Sequence, residues 1–212
     1  MSVVLGIDTA GPVVGAALVG PNLERTWSER VVRGADAVLI PAIARLLEDV
    51  PSLDGIAVSI GPGAFTGLRV GVATALGFAV ARGVDVVCVS SLEARAVMVE
   101  GQRVLALLDA RKSRVYAQTF DTLAGLAKSE AVDAALETVL PDAPFVAVGE
   151  GVKLDPALIA GAGGTIAECA EHSPALAVAK LGQSRLGEAV PAQAVALAYL
   201  RDADAKKLAD RL

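Results

Sequence analysis

The residues best suited to chemistry are two aspartates, each of which ends a short apolar run. Asp8 ends the run Val4–Asp8 and precedes Thr9, and Asp109 ends a matching run over 105–109. A carboxylate and a hydroxyl at the end of a buried strand could hold a metal ion and the phosphates of a nucleotide. Because aspartate also stabilises tight turns, both aspartates could instead be turn formers that hold no ligand.

A second candidate site is the glycine-rich stretch 60–71, which reads IGPGAFTGLRVG. Its Gly-Pro-Gly turn cannot continue the apolar strand predicted at 55–60, because proline lacks the N–H and glycine is conformationally loose. Such a turn could cradle a phosphate with its backbone amides. The corresponding turn after Asp109, residues 110–113, contains no glycine, which argues against a two-sided phosphate site.

The helix predicted after this turn has almost no polar face. We expect it to begin with Thr66 as its N-cap and to end near Arg82, with Gly83 as its C-terminal stop. Within 65–81 only Arg69 is charged, whereas a surface helix normally has a charged face. The helix is therefore either buried on all sides within one domain, or packed on its own sheet and on a partner.

Small residues recur along this helix at intervals of four. Glycine in a helix interior costs about 0.5–1 kcal/mol relative to alanine, so its repeated use requires a packing reason. The two rows of small residues are Gly67, Gly71, Ala75 and Ala79, and Ala73, Gly77 and Ala81.

The elements around the two aspartates repeat. The runs ending at Asp8 and at Asp109 are both followed by a turn and a second β-rich run, which indicates an internal duplication. We place the boundary at 101–102, giving domains 1–102 and 103–212, with the tail 191–212 a candidate to pack back on the first domain. Further predicted elements are helices at 36–48, 92–99, 131–140 and 174–186 and strands at 84–89 and Phe145–Val148.

Composition excludes several classes of protein. The net charge of −5 argues against a basic groove that binds nucleic acid alone. The only histidine, His172, cannot supply a two-histidine metal site or the pair of a metallopeptidase, so no metal site is predicted. Two cysteines, no signal peptide and no apolar stretch of membrane-spanning length predict a cytoplasmic protein that contacts no membrane.

The motifs together resemble the TsaB (YeaZ) family, a glycoprotease-like group of TsaD paralogues. The resemblance rests, in order, on VLGIDTA at 4–10, GPGAFTGLRVG at 61–71, SSLEA at 90–94, LLDARKSRVY at 107–116 and YLR at 199–201. It implies the duplicated α/β fold of the actin-like ATPase (ASKHA) superfamily. Two lobes with mixed five-stranded-type sheets flanked by helices are expected, the second lobe being truncated.

The resemblance implies a non-catalytic partner in tRNA modification. Members of the family join TsaD and the ATPase TsaE to form N6-threonylcarbamoyladenosine next to the anticodon of ANN-decoding tRNAs. ATP, threonylcarbamoyl-adenylate and metal would belong to the partners, and tRNA would bind only through the complex. A homodimer is expected when the chain is isolated.

The site residues that the resemblance implies fall into two sets. The central motif consists of Gly61, Pro62, Gly63, Phe65, Thr66, Gly67 and Arg69. The partner interface is expected on the first-lobe helices, at Leu39, Ile43, Leu46, Thr66, Arg69, Val70, Gly71, Thr74, Ala75 and Phe78.

Two enzymatic alternatives remain open on the sequence. In one, Asp8, Thr9 and Asp109 serve an autonomous ATP-dependent phosphotransferase or ATPase. In the other, the chain is a peptidase, which the single histidine and the lack of a Gly-x-Ser-x-Gly elbow disfavour.

Overall fold

The computed structural model describes residues 2–31, 34–142, 144–169 and 172–200, and these build two sheets with helices on their faces. The strands are β1 (Val4–Asp8), β2 (Val13–Gly20), β3 (Leu23–Arg30), β4 (Gly55–Gly61), β5 (Val86–Ser90), β6 (Val104–Asp109), β7 (Arg114–Asp121), β8 (Leu126–Ala127), β9 (Val132–Ala135), β10 (Phe145–Val148) and β11 (Gly164–Ile166). The helices are α1 (Ala35–Leu46), α2 (Phe65–Arg82), α3 (Ser91–Ala96), α4 (Pro156–Gly161) and α5 (Ala175–Ser184).

The two sheets have the same topology, which supports the predicted duplication. The first sheet has the order β3-β2-β1-β4-β5 and the second β11-β10-β6-β7-β8, with β9 also paired to β7. In both, a central strand pairs antiparallel with its hairpin partner and parallel with the strand on its other side. The expectation of an α/β fold with two mixed, helix-flanked sheets is confirmed.

Helices α1 and α2 cover one face of the first sheet. Leu5, Ile7 and Val58 from the sheet form a buried cluster with Leu39 and Ile43 of α1. Pro41 lies inside α1 on its exposed side. The helices predicted at 36–48 and at 66–82 are therefore confirmed to within two residues at each end.

Helix α5 covers the opposite face of the first sheet, although it follows the second sheet in the chain. A Cβ at Gly6 of β1 would overlap the α5 backbone at Ala179, and a Cβ at Gly182 would overlap Ala57 of β4. The missing side chains allow close contact between helix and strands. The prediction assigned 103–212 to the second domain, but the structure places α5 with the first.

Helix α3 lies between the two sheets. Its Ala94 belongs to the cluster under α5, whereas Leu92 and Ala96 pack against β6 and β10 of the second sheet. Ser90 caps α3 by accepting a hydrogen bond from the Glu93 backbone N–H at 3.4 Å. A six-residue helix therefore joins the cores of both lobes.

One predicted helix is absent from the second lobe. Residues 131–140 form strand β9 and a short 3-10 turn at Leu136–Thr138 instead. Arg114 of β7 donates from Nε to Asp133 Oδ1 at 2.6 Å, which secures β9 against the hairpin. The helix prediction was wrong because tertiary pairing overrides the helical preference of an alanine-rich segment.

The start of α2 also differs from the prediction. Ala64, not Thr66, is the N-cap, and no side chain caps the helix there. Gly83 does end the helix in the left-handed conformation, with φ 66°. Thr66 is the second residue of the helix, after Phe65, and its side chain is exposed.

The row Gly67–Gly71 of α2 packs on Thr9, in the turn after β1. A Cβ at Gly67 would overlap the Thr9 carbonyl, and a Cβ at Gly71 would overlap Thr9 Oγ1. In contrast, a Cβ at Gly77, in the other row, would meet nothing within 4 Å. One row of small residues therefore serves the chain's own sheet, and the other faces outward.

This contrast predicts opposite effects for two identical substitutions. Gly71→Ala forces a Cβ against Thr9 and should destabilise the fold by about 1–3 kcal/mol. Gly77→Ala should stabilise it by about 0.5–1 kcal/mol through helix propensity alone. Urea unfolding followed by circular dichroism measures both, and equal or reversed shifts would contradict this packing of α2.

Candidate functional site

The buried guanidinium of Arg95 lies between carboxylates from both lobes. It donates from Nη2 to Asp8 Oδ2 at 3.4 Å, from Nε to Glu150 Oε2 at 3.0 Å and from Nη1 to the Ser91 carbonyl at 2.9 Å. Asp8 is fully buried and Arg95 is 3% exposed. Because Arg95 is on α3 and Glu150 begins the 3-10 turn after β10, these ion pairs connect the lobes.

The charge of Arg95 is secured by its surroundings. Burial alone would lower the pKa of Arg95, but the negative charges of Glu150 and Asp8 outweigh it and raise the pKa above its ordinary value. The guanidinium is therefore positively charged at every physiological pH. A permanent cation thus lies beside Asp8, the residue that the sequence suggested as a metal or phosphate ligand.

Thr9 and Asp109 have separate structural roles. Thr9 is 1% exposed and donates from Oγ1 to the Gly67 carbonyl at 2.8 Å. The Asp109 side chain is half exposed, and its Oδ1 accepts the Arg111 backbone N–H at 2.7 Å. This bond stabilises the turn between β6 and β7.

The Gly-Pro-Gly turn packs against the chain's own backbone. The Ala64 N–H donates to the Ala10 carbonyl at 2.8 Å, and a Cβ at Gly63 would lie 2.6 Å from the same oxygen. On the other side, the Ala198 N–H donates to the Ile60 carbonyl at 2.9 Å. The turn is therefore a junction between β4, the turn after β1 and the C-terminal segment around Ala198.

The other residues of the motif divide by exposure. Arg69 stacks on the Phe65 ring with its guanidinium carbon 3.8 Å from the ring centroid, and donates from Nε to the Tyr199 hydroxyl at 3.4 Å. The Phe65 and Tyr199 rings are 5.2 Å apart. Arg201, which completes the YLR motif, lies outside the described residues. Thr66 and Arg69 are exposed, whereas Gly61, Pro62, Gly63, Phe65 and Gly67 are buried or half-buried.

An apolar groove of about 610 Å³ runs between α1 and α2 on the outer surface. Ile40 of α1 is 50% exposed beside it, and Val80 of α2 is 74% exposed on the same helix surface. The outward row of small residues on α2 forms its floor. The lining residues are Asp36, Ile40, Val70, Ala73, Thr74, Gly77, Phe78 and Ala81.

The groove corrects half of the predicted interface. Val70, Thr74 and Phe78 line it, but the other apolar or small residues assigned to the interface face the chain's own core. Because they are buried, they cannot touch a partner without unfolding the helix pair. These corrected residues are Leu39, Ile43, Leu46, Gly71 and Ala75.

The remaining polar candidates do not form a metal site. His172 is exposed, and no group of three or more His, Cys, Asp or Glu side chains in the described residues could hold a metal ion. Cys88 and Cys169 are free thiols, and burial raises the pKa of the Cys88 thiol. Within the same residues, every helix is too short or too polar to cross a bilayer.

Sequence reasoning missed Arg95, Glu150 and the outward positions on α1 and α2. Arg95 directly follows the SSLEA motif as a charge within an apolar, alanine-rich helix, and Glu150 stands between two glycines. The row Ala73, Gly77 and Ala81 was recognised as a ridge, but only the structure shows that it is the exposed one.

Three comparisons relate this geometry to known proteins. A family model described as TsaD, tRNA N6-adenosine threonylcarbamoyltransferase, matches residues 29–149, more than half of the chain. The tRNA threonylcarbamoyladenosine biosynthesis protein TsaB of Bacillus subtilis is 28% identical over 96% of both chains. An uncharacterised Mycobacterium leprae protein is 42% identical over 55% of this chain and 34% of its own length. The chain spans about a third to just over half the length of the first curated relatives that it matches.

A solved structure agrees with these matches. YeaZ from Pseudomonas aeruginosa superimposes with a TM-score of 0.79 at 25% sequence identity, covering 94% of this chain and all of that one. The two duplicated, helix-flanked sheets define a protein of the actin-like ATPase (ASKHA) fold. Within that fold, the chain belongs to the TsaB/YeaZ family, whose members are related to TsaD.

The interlobe ion pairs predict a large stability difference between two arginines. Arg95→Met leaves Asp8 buried without a countercharge, which should cost about 3–5 kcal/mol of unfolding free energy. Arg111→Met removes an 83% exposed arginine near Asp109 and should leave the unfolding midpoint unchanged.

Chemical denaturation of both variants checks this difference. If Arg95→Met does not fold, Glu150→Gln offers a milder change, because it keeps one hydrogen-bond acceptor while removing a charge. Wild-type stability in Arg95→Met or in Glu150→Gln would contradict the role assigned to the interlobe ion pairs.

Proposed function

We propose that this chain is a non-catalytic partner subunit in the formation of N6-threonylcarbamoyladenosine in tRNA. The observation that carries the proposal is the apolar groove between α1 and α2. In the proposed complex a TsaD-type paralogue occupies this groove, and a TsaE-type ATPase joins the pair. ATP, threonylcarbamoyl-adenylate and metal are handled by those partners, and tRNA is contacted through the complex.

The relatives support the pathway. The Bacillus subtilis relative that aligns over nearly the full chain is named for threonylcarbamoyladenosine biosynthesis in tRNA, as are relatives from Haemophilus influenzae and Escherichia coli. The family model named for the transferase matches a stretch that includes both α1 and α2. A TsaD-type protein therefore has a related helix pair to offer.

The shape of the groove supports a helical partner. Ala73, Gly77 and Ala81 lie one turn apart on α2, so the backbone of a second helix can approach closely. Two related helix pairs that meet by these faces bury both apolar grooves in a four-helix arrangement. When the paralogue is missing, a second copy of this chain presents the same face, which accounts for the expected homodimer.

The surroundings of the candidate nucleotide ligands support a role without chemistry in this subunit. The Asp8 carboxylate is fully buried and forms an ion pair with Arg95. The Thr9 hydroxyl donates to the Gly67 carbonyl of α2, and the N–H of Ala64, directly after the Gly-Pro-Gly turn, donates to the Ala10 carbonyl. The Asp8 Oδ2 atom, the Thr9 hydroxyl and the Ala64 N–H therefore have partners within the chain. Asp109 is half exposed but serves its own turn.

The docking proposal predicts that a charge in the groove abolishes pairing. Ala73 is exposed on α2, so Ala73→Glu leaves the core intact while placing a carboxylate on an apolar contact face. We expect at least a tenfold loss of affinity for the TsaD-type paralogue in titration calorimetry. The unfolding midpoint of the isolated monomer, measured at a concentration too low for dimer formation, should stay the same.

A matched change controls this experiment. Ala160→Glu makes the same substitution at an exposed position on α4 in the second lobe, away from the groove, and should bind as tightly as the wild type. The docking face is assigned wrongly if Ala73→Glu pairs normally or if both variants lose binding equally.

A further inference from the structure

Arg69 extends the outward row of small residues on α2 by one charged residue. Arg69, Ala73, Gly77 and Ala81 follow one another at intervals of four, and all four are exposed. Residues four apart lie on the same side of a helix, so Arg69 continues the groove floor by one turn. It lies at the end of the groove that is next to the Gly-Pro-Gly turn. A cation therefore stands at one end of an otherwise uncharged ridge.

Two aromatic side chains hold the Arg69 guanidinium in one orientation. Its central carbon lies 3.8 Å from the centroid of the Phe65 ring, one turn earlier on α2. Its Nε donates to the Tyr199 hydroxyl at 3.4 Å, and the Phe65 and Tyr199 rings lie 5.2 Å apart. An aromatic stack and a hydrogen bond at Nε together fix the plane of a guanidinium. The side chain is therefore oriented before a partner arrives.

Tyr199 is itself held in place by the C-terminal segment that carries it. The N–H of the preceding residue, Ala198, donates to the Ile60 carbonyl at 2.9 Å. Further back, Val190 and Val86 exchange two backbone hydrogen bonds of 2.9 Å each. The described part of the YLR motif thus has a position defined by the first sheet, from which its tyrosine reaches the start of α2.

The two terminal nitrogens of Arg69 have no hydrogen-bond partner among the residues that the structure describes. The bond to Tyr199 uses only Nε, and the stack on Phe65 uses only the face of the guanidinium. Nη1 and Nη2 of an arginine form a planar fork that matches the oxygens of a carboxylate or a phosphate. The free side of Arg69 is therefore suited to an anion that offers two oxygens.

The surroundings favour a protein carboxylate over an RNA phosphate. Arg69 is the only charged residue within 65–81, and the chain has a net charge of −5. A nucleic-acid backbone is bound by several cations together, because each phosphate contact contributes a similar share of the affinity. A single oriented arginine beside an apolar groove is instead typical of the centre of a protein interface.

We propose that Arg69 binds a carboxylate of the docking partner through both terminal nitrogens and thereby fixes the register of the partner helix in the groove. The inference rests on the proposed function, since the carboxylate belongs to the TsaD-type paralogue that occupies the groove. Phe65 and Tyr199 are positioning residues that act through the guanidinium. Small apolar residues along the ridge allow a helix to slide by one turn, whereas an ion pair at its end selects one register.

Calorimetric titration with the paralogue tests the ion pair. Arg69→Gln keeps a polar side chain but removes the charge, and should weaken binding about tenfold. Arg69→Lys keeps the charge but removes the fork, so its affinity should lie between those of Arg69→Gln and the wild type. Arg111→Gln removes the same charge from an 83% exposed arginine of the second lobe and should bind as tightly as the wild type.

Tyr199→Phe separates positioning from packing. The change keeps the ring beside Phe65 but removes the hydroxyl that orients Arg69, so binding should weaken about threefold through lost preorganisation. In the Arg69→Gln background the same change should have no further effect, because no guanidinium is left to orient. An equal loss in both backgrounds would contradict the positioning role of Tyr199.

Zero-length cross-linking identifies the anion. Helices α1 and α2 contain no lysine, so Arg69→Lys introduces a primary amine into a helix pair that lacks one. A water-soluble carbodiimide joins such an amine to a carboxylate in contact with it, forming an amide while the reagent takes up the water. Mass spectrometry of the complex should find position 69 linked to an Asp or Glu of the paralogue. A complex without this link would contradict the carboxylate.

The binding results also distinguish this inference from the docking proposal. Wild-type affinity in Arg69→Gln, with binding lost in Ala73→Glu, would overturn the ion pair and leave the groove as the docking face. A wild-type chain that does not bind the paralogue would overturn both. If Arg69→Gln binds the paralogue normally but weakens tRNA binding by the assembled complex, the guanidinium contacts a phosphate and the carboxylate is wrong.

Discussion

The contact between Thr9 and the glycines of α2 is the constraint on which the rest of the structure depends. Thr9 fits between β1 and α2 only because Gly67 and Gly71 have no side chain, and its hydroxyl bonds to the Gly67 carbonyl. This contact orients α2 so that one row of small residues meets the chain's own sheet. The second row, Ala73 to Ala81, is thereby turned outward beside α1 and forms the floor of the apolar groove.

The same contact also determines the surroundings of Asp8. Because the Thr9 hydroxyl bonds to α2, the turn after β1 faces this helix. The negative charge of the neighbouring Asp8 is compensated by the guanidinium of Arg95. A buried ion pair is not in itself a strong source of stability, because desolvation offsets much of the attraction. Its effect here is to connect the lobes, since Arg95 also binds Glu150. In the proposed account, the fold keeps its two lobes as a rigid support for a docking face.

Much of the first lobe could be predicted from the sequence because its signals are local. Alternating and continuous apolar runs marked β1, β2 and β4, Gly83 marked the end of α2, and repeated spacing around the aspartates indicated the duplication. The order of strands and the packing of α5 on the first sheet could not be read, because they depend on contacts between distant segments. Residues 131–140 were misread for the same reason, since strand pairing with β7 outweighed helical composition.

The sequence predicted what kind of surface the candidate site is better than it predicted which residues form it. A helix without a polar face indicates a buried or docking helix, but a row of small residues looks alike whether it meets its own sheet or a partner. The expected interface therefore included Gly71 and Ala75, whereas the structure buries these two residues and exposes Ala73 and Gly77. Arg95 could not be ranked above other charges because its partners come from both lobes.

Reconstituted threonylcarbamoylation of tRNA is the most direct test of the central claim. Purified TsaD-type paralogue, TsaE-type ATPase, threonylcarbamoyl-adenylate and tRNA are combined with and without this chain, and modified adenosine is quantified by mass spectrometry. The account predicts repeated turnover only when the chain is present, and no turnover of ATP or adenylate by the chain alone. Equal product formation without the chain, or ATP hydrolysis by the isolated chain that disappears in Asp8→Asn, would contradict it.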